Sequence, residues 1–228
     1  SSMGSIVGAC YAKGMSADEM KEIIQKLKAT DIVDIGILPL SKLGLMKWTK
    51  VRRLMSSFLE DCEFSDLEIP FTCVAVDILS GKLHEFTEGS VIDAILASSS
   101  MPTVFRPVEK DGMLLVDGGV LCRVPVRQVK KMGADVVVAV DVLGECKHSE
   151  KALNMISLIT RVYDIMDSYR TADERRKTRR ITDLWLEPDI PGVSQYEVKY
   201  HASVYDAGYK LGKENAGKIK ALLGDEGE

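Results

Sequence analysis

What would mark a disulfide framework or a zinc cage is missing: the five cysteines, Cys10, Cys62, Cys73, Cys122 and Cys146, are odd in number, scattered, and form no C-x-x-C pair. A reducing, cytoplasmic setting fits that usage. Long apolar runs are missing too. The valine-rich stretch at 136–140 falls far short of the roughly 18 residues of a spanning helix, and no charged leader precedes an apolar segment, so an integral membrane protein is not expected. Basic charge is not in excess, since 30 Lys and Arg face 34 Asp and Glu for a net charge of −4. Nucleic acid is therefore not an expected partner. Internal repeats, low-complexity tracts and linkers are absent, so residues 1–228 read as one domain. The three histidines, His84, His148 and His201, share no spacing with a serine or with one another, and no Ser-His-Asp triad is legible.

What is present is an ordinary globular balance, 46% hydrophobic and 28% charged, in a chain long enough to bury a core. Met3, Ile6, Val7, Cys10 and Tyr11 recur at helical spacing and predict an apolar helix face. Gly4, Ser5, Gly8, Ala9 and Ala12 would let that helix lie close to a neighbour, and Gly14 would stop it. Ser16 with Glu19 reads as a capping box for a second helix carrying Met20, Ile23, Ile24 and Leu27. Residues 31–66 read as loop and short helices. Residues 71–77 and 82–87 read as a strand pair around the Ser80-Gly81 turn, followed by a helix capped by Ser90 and ended by Met101-Pro102. Residues 113–117 form a strand and 125–132 a short helix closed by Gly133. The valine-rich stretch at 135–142 has the pattern of a parallel strand covered on both faces. A long helix or helix pair at 152–180, a last strand at 184–187 and a terminal helix at 202–223 complete an α/β order with a layered, mostly parallel sheet flanked by helices.

A few residues could carry chemistry. Serines at the start of a chain are ordinarily tags or helix caps. Ser2, however, stands at the mouth of a small-residue helix, where free N–H groups and the dipole favour a developing oxyanion, as in the second half of a G-x-S-x-G elbow. Asp117-Gly118-Gly119 is either a common turn or a strand-end carboxylate placed to take a proton from a nearby serine, given burial to strengthen it as a base. The run Arg175, Arg176, Lys177, Arg179, Arg180 reads as a solvated helix face. The ten methionines suit either core filling or an acyl-chain pocket.

Four ordered blocks resemble the patatin-like phospholipase family, of the small bacterial type. They are Ser2-Met3-Gly4-Ser5-Ile6-Val7-Gly8-Ala9 with Tyr11, Ala12 and Gly14, then Ala97-Ser98-Ser99-Ser100-Met101-Pro102 with Phe105 and Pro107. Val116-Asp117-Gly118-Gly119-Val120 with Pro125-Val126, and Gly133-Ala134-Asp135-Val136-Val137, complete the set. The resemblance implies a serine hydrolase acting on carboxylic esters of phospholipids, lysophospholipids or acylglycerols. Ser2 would be the nucleophile, Asp117 the base, and an acyl-enzyme the intermediate, with no metal or organic cofactor. Met3, Gly4, Pro102, Phe105, Gly118 and Gly119 would line the substrate site. Transient contact with a bilayer surface is the accompanying expectation; oligomeric state is not legible. The family's glycine-rich oxyanion loop and nucleophile strand lie N-terminal to the serine and are not in the sequence given, so the chain is expected to be part of a longer protein. Cys122-Arg123 stand where the family tends to carry asparagines, a change expected at the pocket rim. The alternative is a non-catalytic, lipid-binding relative. A Rossmann-type nucleotide domain ranks below both, because no G-x-G-x-x-G follows a strand.

Overall fold

The computed structural model describes residues 1–27, 31, 46–146, 154–190 and 201–224. Its centre is a four-stranded antiparallel sheet built from two hairpins. Strands β1 (Cys73–Asp77) and β2 (Lys82–Phe86) pair with Cys73 opposite Phe86 and Asp77 opposite Lys82. Strands β3 (Val108–Lys110) and β4 (Met113–Asp117) are joined by Asp111-Gly112, where positive φ at both residues (50° and 75°) makes the mirror-image turn that Asp-Gly sequences favour. β4 then pairs with β1, bringing Ala75 opposite Asp117, and the order is β2-β1-β4-β3. All five residues of β1 are buried.

Helix α1 (Met3–Ala12) and helix α2 (Ala17–Lys26) follow the sequence pattern. Gly14 stops the first at φ 98°, and Ser16 and Glu19 form the expected capping box. The buried face of α1 differs from expectation. Ser5, Ala9, Cys10 and Ala12 are inside, whereas Met3, Val7 and Tyr11 are exposed. The small residues win because they admit a close neighbour: a Cβ at Gly8 would stand 3.0 Å from the ring of Phe71. Helix α3 (Thr49–Leu59), within the stretch read as loop and short helices, buries Val51, Met55 and Leu59 at successive turns; residues 32–45 lie outside the described residues. Helix α4 (Val91–Ser98), capped by Ser90, buries every residue but Asp93, which reaches out to Arg52 and Lys110. Leu59, Ile92, Ile95, Leu96 and Leu115 form the heart of that core.

After β4 come a 3-10 turn (Gly118–Val120), helix α5 (Val126–Lys131) and strand β5 (Val138–Val140). Helix α6 (Met155–Thr178), strand β6 (Leu184–Leu186) and helix α7 (His201–Leu222) follow. β5 and β6 make a separate two-stranded parallel sheet, with Ala139 opposite Trp185. The mostly parallel sheet expected from the strand–helix alternation is therefore corrected: the larger sheet is antiparallel because its strands are joined by tight hairpins, and only β5–β6 is parallel among the described residues. Nor is the valine strand covered on both faces, since Val137 and Ala139 are buried but Val140 and Val142 are exposed. Helix α6 turns a polar side inward, with Asp167, Thr171 and Thr178 buried, and leaves Leu158, Ile159, Val162 and Ile165 half exposed. The basic run at its end is solvated as expected, Arg175 pairing with Glu187, and Arg176 and Lys177 with Asp173. No described helix is long and apolar enough to cross a membrane.

Candidate active site

Ser2 is the residue on which the chain turns into α1. Its backbone has φ 51° and ψ −137°, close to the first central position of a type II′ turn and costly for a residue with a side chain. Two long-range contacts hold it there: its N–H lies 3.1 Å from both the carbonyl and the hydroxyl oxygen of Ser98, at the C-terminal end of the buried α4. Its own carbonyl accepts from the Ser5 N–H at 2.8 Å and the Ser5 hydroxyl at 2.6 Å. The first N–H groups of α1, at Met3 and Gly4, have no partner within the helix and point beyond its N-terminus, beside the serine.

Asp117 ends β4 and is 2% exposed. Its N–H donates to the Ser100 carbonyl at 3.0 Å. The three serines 98–100 thus serve both sides of the site, Ser98 holding Ser2 and Ser100 holding Asp117. Ser100 is itself fixed, its hydroxyl donating to Leu96 and accepting from Trp48 Nε1 at 3.1 Å. Oδ1 of Asp117 accepts from the Gly119 N–H at 2.7 Å, and Oδ2 is buried with no hydrogen-bond partner. The Ser2 hydroxyl acts on this carboxyl, favouring its charged form, without an aligned hydrogen bond to it. Burial is the strongest influence and pushes the carboxyl above its ordinary value. The contacts with Ser2 and Gly119 work the other way.

The two glycines of the turn have separate reasons. A Cβ at Gly118 would meet the Val74 carbonyl oxygen at 2.3 Å, so only glycine lets the turn lie on β1. A Cβ at Gly119 would stand 3.1 Å from Asp117 Oδ1 and 3.4 Å from the Tyr163 hydroxyl, which brings α6 to the site. Burial raises the Tyr163 hydroxyl well above the usual phenol range, with Asp117 adding to the effect.

The structure thus brings Ser2 and Asp117 together. Met3 and Gly4 are exposed beside Ser2, Gly118 and Gly119 are buried under Asp117, and Pro102 and Phe105 are half-buried in the loop after Ser100. There Phe105 stacks on Trp48 with ring centroids 4.0 Å apart. His84 lies on β2 against Phe86, His201 opens α7, and His148 lies outside the described residues. The Arg123 side chain is 12% exposed and joins Asp141 and Asp167, while its carbonyl accepts from the Ser1 hydroxyl at 2.8 Å. Sequence reasoning missed Arg170, whose Nη2 donates to the Gly119 carbonyl at 2.8 Å. Nothing local to α6 announces that contact.

Comparison with known proteins gives consistent results. The family model described as patatin-like phospholipase matches residues 1–130. An uncharacterized NTE family protein of Mycobacterium bovis is 34% identical over 144 residues, covering 63% of this chain and 40% of its own length. Patatin-like phospholipase domain-containing protein 6 of Mus musculus is 29% identical over 238 residues, 93% of this chain and 18% of the mouse protein. Protein 7 of that name from Rattus norvegicus is 30% identical over 147 residues. The chain spans about two fifths, 40%, of the mycobacterial relative it matches.

Proposed function

The chain belongs to the patatin-like phospholipase family, and from that premise we propose that it is a lipid acyl hydrolase working through Ser2 and Asp117. The substrates are carboxylic esters of phospholipids, lysophospholipids or acylglycerols. The observation that carries the reading is the pairing of a serine in a strained, positive-φ turn at a helix start with a buried carboxyl whose Oδ2 is unpartnered. Strain of this kind persists where surrounding contacts enforce it, and the Ser98 bonds are those contacts.

In this reading the Ser2 oxygen attacks the ester carbonyl carbon as its proton passes to Asp117. The tetrahedral intermediate then expels the alcohol, which takes that proton back. Water, deprotonated by Asp117, releases the fatty acid and restores the serine. A raised carboxyl suits the task, because a base of ordinary strength, near pKa 4, removes a serine proton poorly. No histidine is needed, and among the described residues none acts on Asp117.

The test is labelling with a fluorophosphonate, read by intact mass and by the labelled peptide, together with hydrolysis of a medium-chain ester. An adduct on Ser2, with hydrolysis lost in both Ser2→Ala and Asp117→Asn, is the expected result. Retained hydrolysis in either variant overturns the dyad. A folded protein that takes no label and cleaves no ester is instead a lipid-binding relative.

A further inference from the structure

The turn that carries Asp117 is gripped by a cluster of charged side chains, all but Arg123 from beyond the matched residues 1–130. Arg170 Nη2 donates to the Gly119 carbonyl at 2.8 Å and to Asp167 Oδ1 at 3.1 Å. Oδ2 of Asp167 accepts from Arg123 Nη1 at 2.6 Å, and Arg123 Nη2 continues to Asp141 Oδ2 at 2.7 Å and to the Gly144 carbonyl at 3.0 Å. Asp141 and Asp167 are each 3% exposed. Two guanidinium groups against two carboxylates leave no unbalanced charge.

Buried ion clusters stabilise a fold weakly compared with apolar packing, because desolvation offsets their attraction. What a guanidinium supplies is direction, since its planar fork fixes two acceptors at once. Arg170 is the member that leaves the cluster to bond the backbone of the turn. The residue it holds, Gly119, is the one whose N–H holds Asp117 Oδ1 at 2.7 Å. Having no side chain to pack, Gly119 is placed by its main-chain bonds.

We propose that Arg170 is a positioning residue: by anchoring Gly119 it keeps Oδ1 of Asp117 on the Gly119 N–H and leaves Oδ2 to receive the serine proton. Asp167, Arg123 and Asp141 hold Arg170 in place. The inference rests on the reading of Asp117 as the proton acceptor. The groups facing Asp117 are the Ser2 hydroxyl, the Gly119 N–H of the turn, and Asp167 with Tyr163 from α6. Of these, Asp167 raises the carboxyl while Ser2 and the Gly119 N–H lower it. Losing the Gly119 contact therefore raises Asp117 further.

The experiment compares wild type with Arg170→Met, Arg170→Lys and the double variant Arg170→Met/Asp167→Asn. The double variant removes one charge of each sign and keeps the Arg123–Asp141 pair, so it tests geometry without leaving an unpaired buried charge. Hydrolysis is followed from the acid limb upward, with kcat and KM separated and folding checked by circular dichroism. The double variant is expected to fold and to lose about tenfold to a hundredfold in kcat, the range for a misplaced reacting group, with KM unchanged, and the acid limb is expected to move to higher pH in Arg170→Met, where Asp167 still raises the carboxyl. Arg170→Lys, which keeps a donor and the charge, is expected to recover part of kcat and restore the limb. A folded double variant with wild-type kcat, or a folded Arg170→Met with an unmoved acid limb, overturns the proposal. Failure of wild type itself to label or to hydrolyse overturns the dyad reading instead, so the two failures are separable.

Discussion

Replacing Gly118 by alanine puts one methyl group where the structure has a carbonyl. The new Cβ would lie 2.3 Å from the Val74 oxygen, 2.8 Å from Val74 Cγ2 and 2.9 Å from its carbonyl carbon. Non-bonded carbon contacts settle near 3.5–4.0 Å, so relief needs a shift of roughly 1 Å. Val74 cannot yield cheaply, because it is fully buried in β1, which is paired with β2 on one side and β4 on the other. The turn must move instead, and Asp117 moves with it. Overpacking commonly costs about 1–3 kcal/mol, and a backbone neighbour places this case near the top, about 3 kcal/mol. A displacement of about 1 Å at a reacting group costs on the order of a hundredfold in rate. Urea midpoints give the first quantity and fluorophosphonate labelling rates the second. Gly212→Ala is the control, since its Cβ would enter open space in α7; it should stabilise by about 0.5–1 kcal/mol. A Gly118→Ala protein with an unchanged midpoint and an unchanged labelling rate would refute the reasoning.

Hydrolysis should rise with pH through an ionisation above the ordinary carboxylate value, because burial holds Asp117 up and the base must be charged; a profile already flat at pH 4–5 contradicts this. The same shift bears on stability. A pKa raised by folding contributes stability that is present below the unfolded value and lost as pH climbs through the folded one, so Asp117→Asn should gain in melting temperature over wild type as pH rises. Ser16→Ala removes the acceptor for the Glu19 N–H, 3.3 Å away, and should lower stability by about 1 kcal/mol in urea denaturation. Thiol titration of the native protein should modify Cys146 first: Cys73 is buried and pushed up to about 12, Cys122 is pushed up to about 11, and burial raises Cys10 and Cys62 as well. A Cys146→Ser protein that still shows a fast thiol would contradict that order.

Local signals survived the passage from sequence to structure. The Ser16–Glu19 box, the Ser90 cap, the Ser80-Gly81 hairpin and the strand ending at Asp117 are each set by residues a few positions apart, and each is where its pattern placed it. What failed depended on neighbours the pattern does not contain. Tyr11 and Val7 have the spacing of a buried face, but Ser5, Ala9 and Ala12 decide the packing of α1 because of what lies opposite. Valine at 140 and 142 signals coverage that the described residues do not supply. At the candidate site, the order of four motifs pointed to Ser2 and Asp117 as the proposed pair. Arg123 and Arg170 were not legible, because their roles come from a helix folding back over a turn dozens of residues away.

That distance has a kinetic meaning. Ser2 and Ser98 are 96 positions apart and Gly119 and Arg170 are 51, so no segment of the chain contains the site by itself. Each closure costs chain entropy before its contacts repay it, whereas α2 and α6 can form from neighbours alone. On refolding, helical signal should therefore return before the Ser2–Ser98 and Gly119–Arg170 contacts close. In the folded protein, a local detachment of α6 would free the Asp117 turn while the antiparallel sheet stays intact.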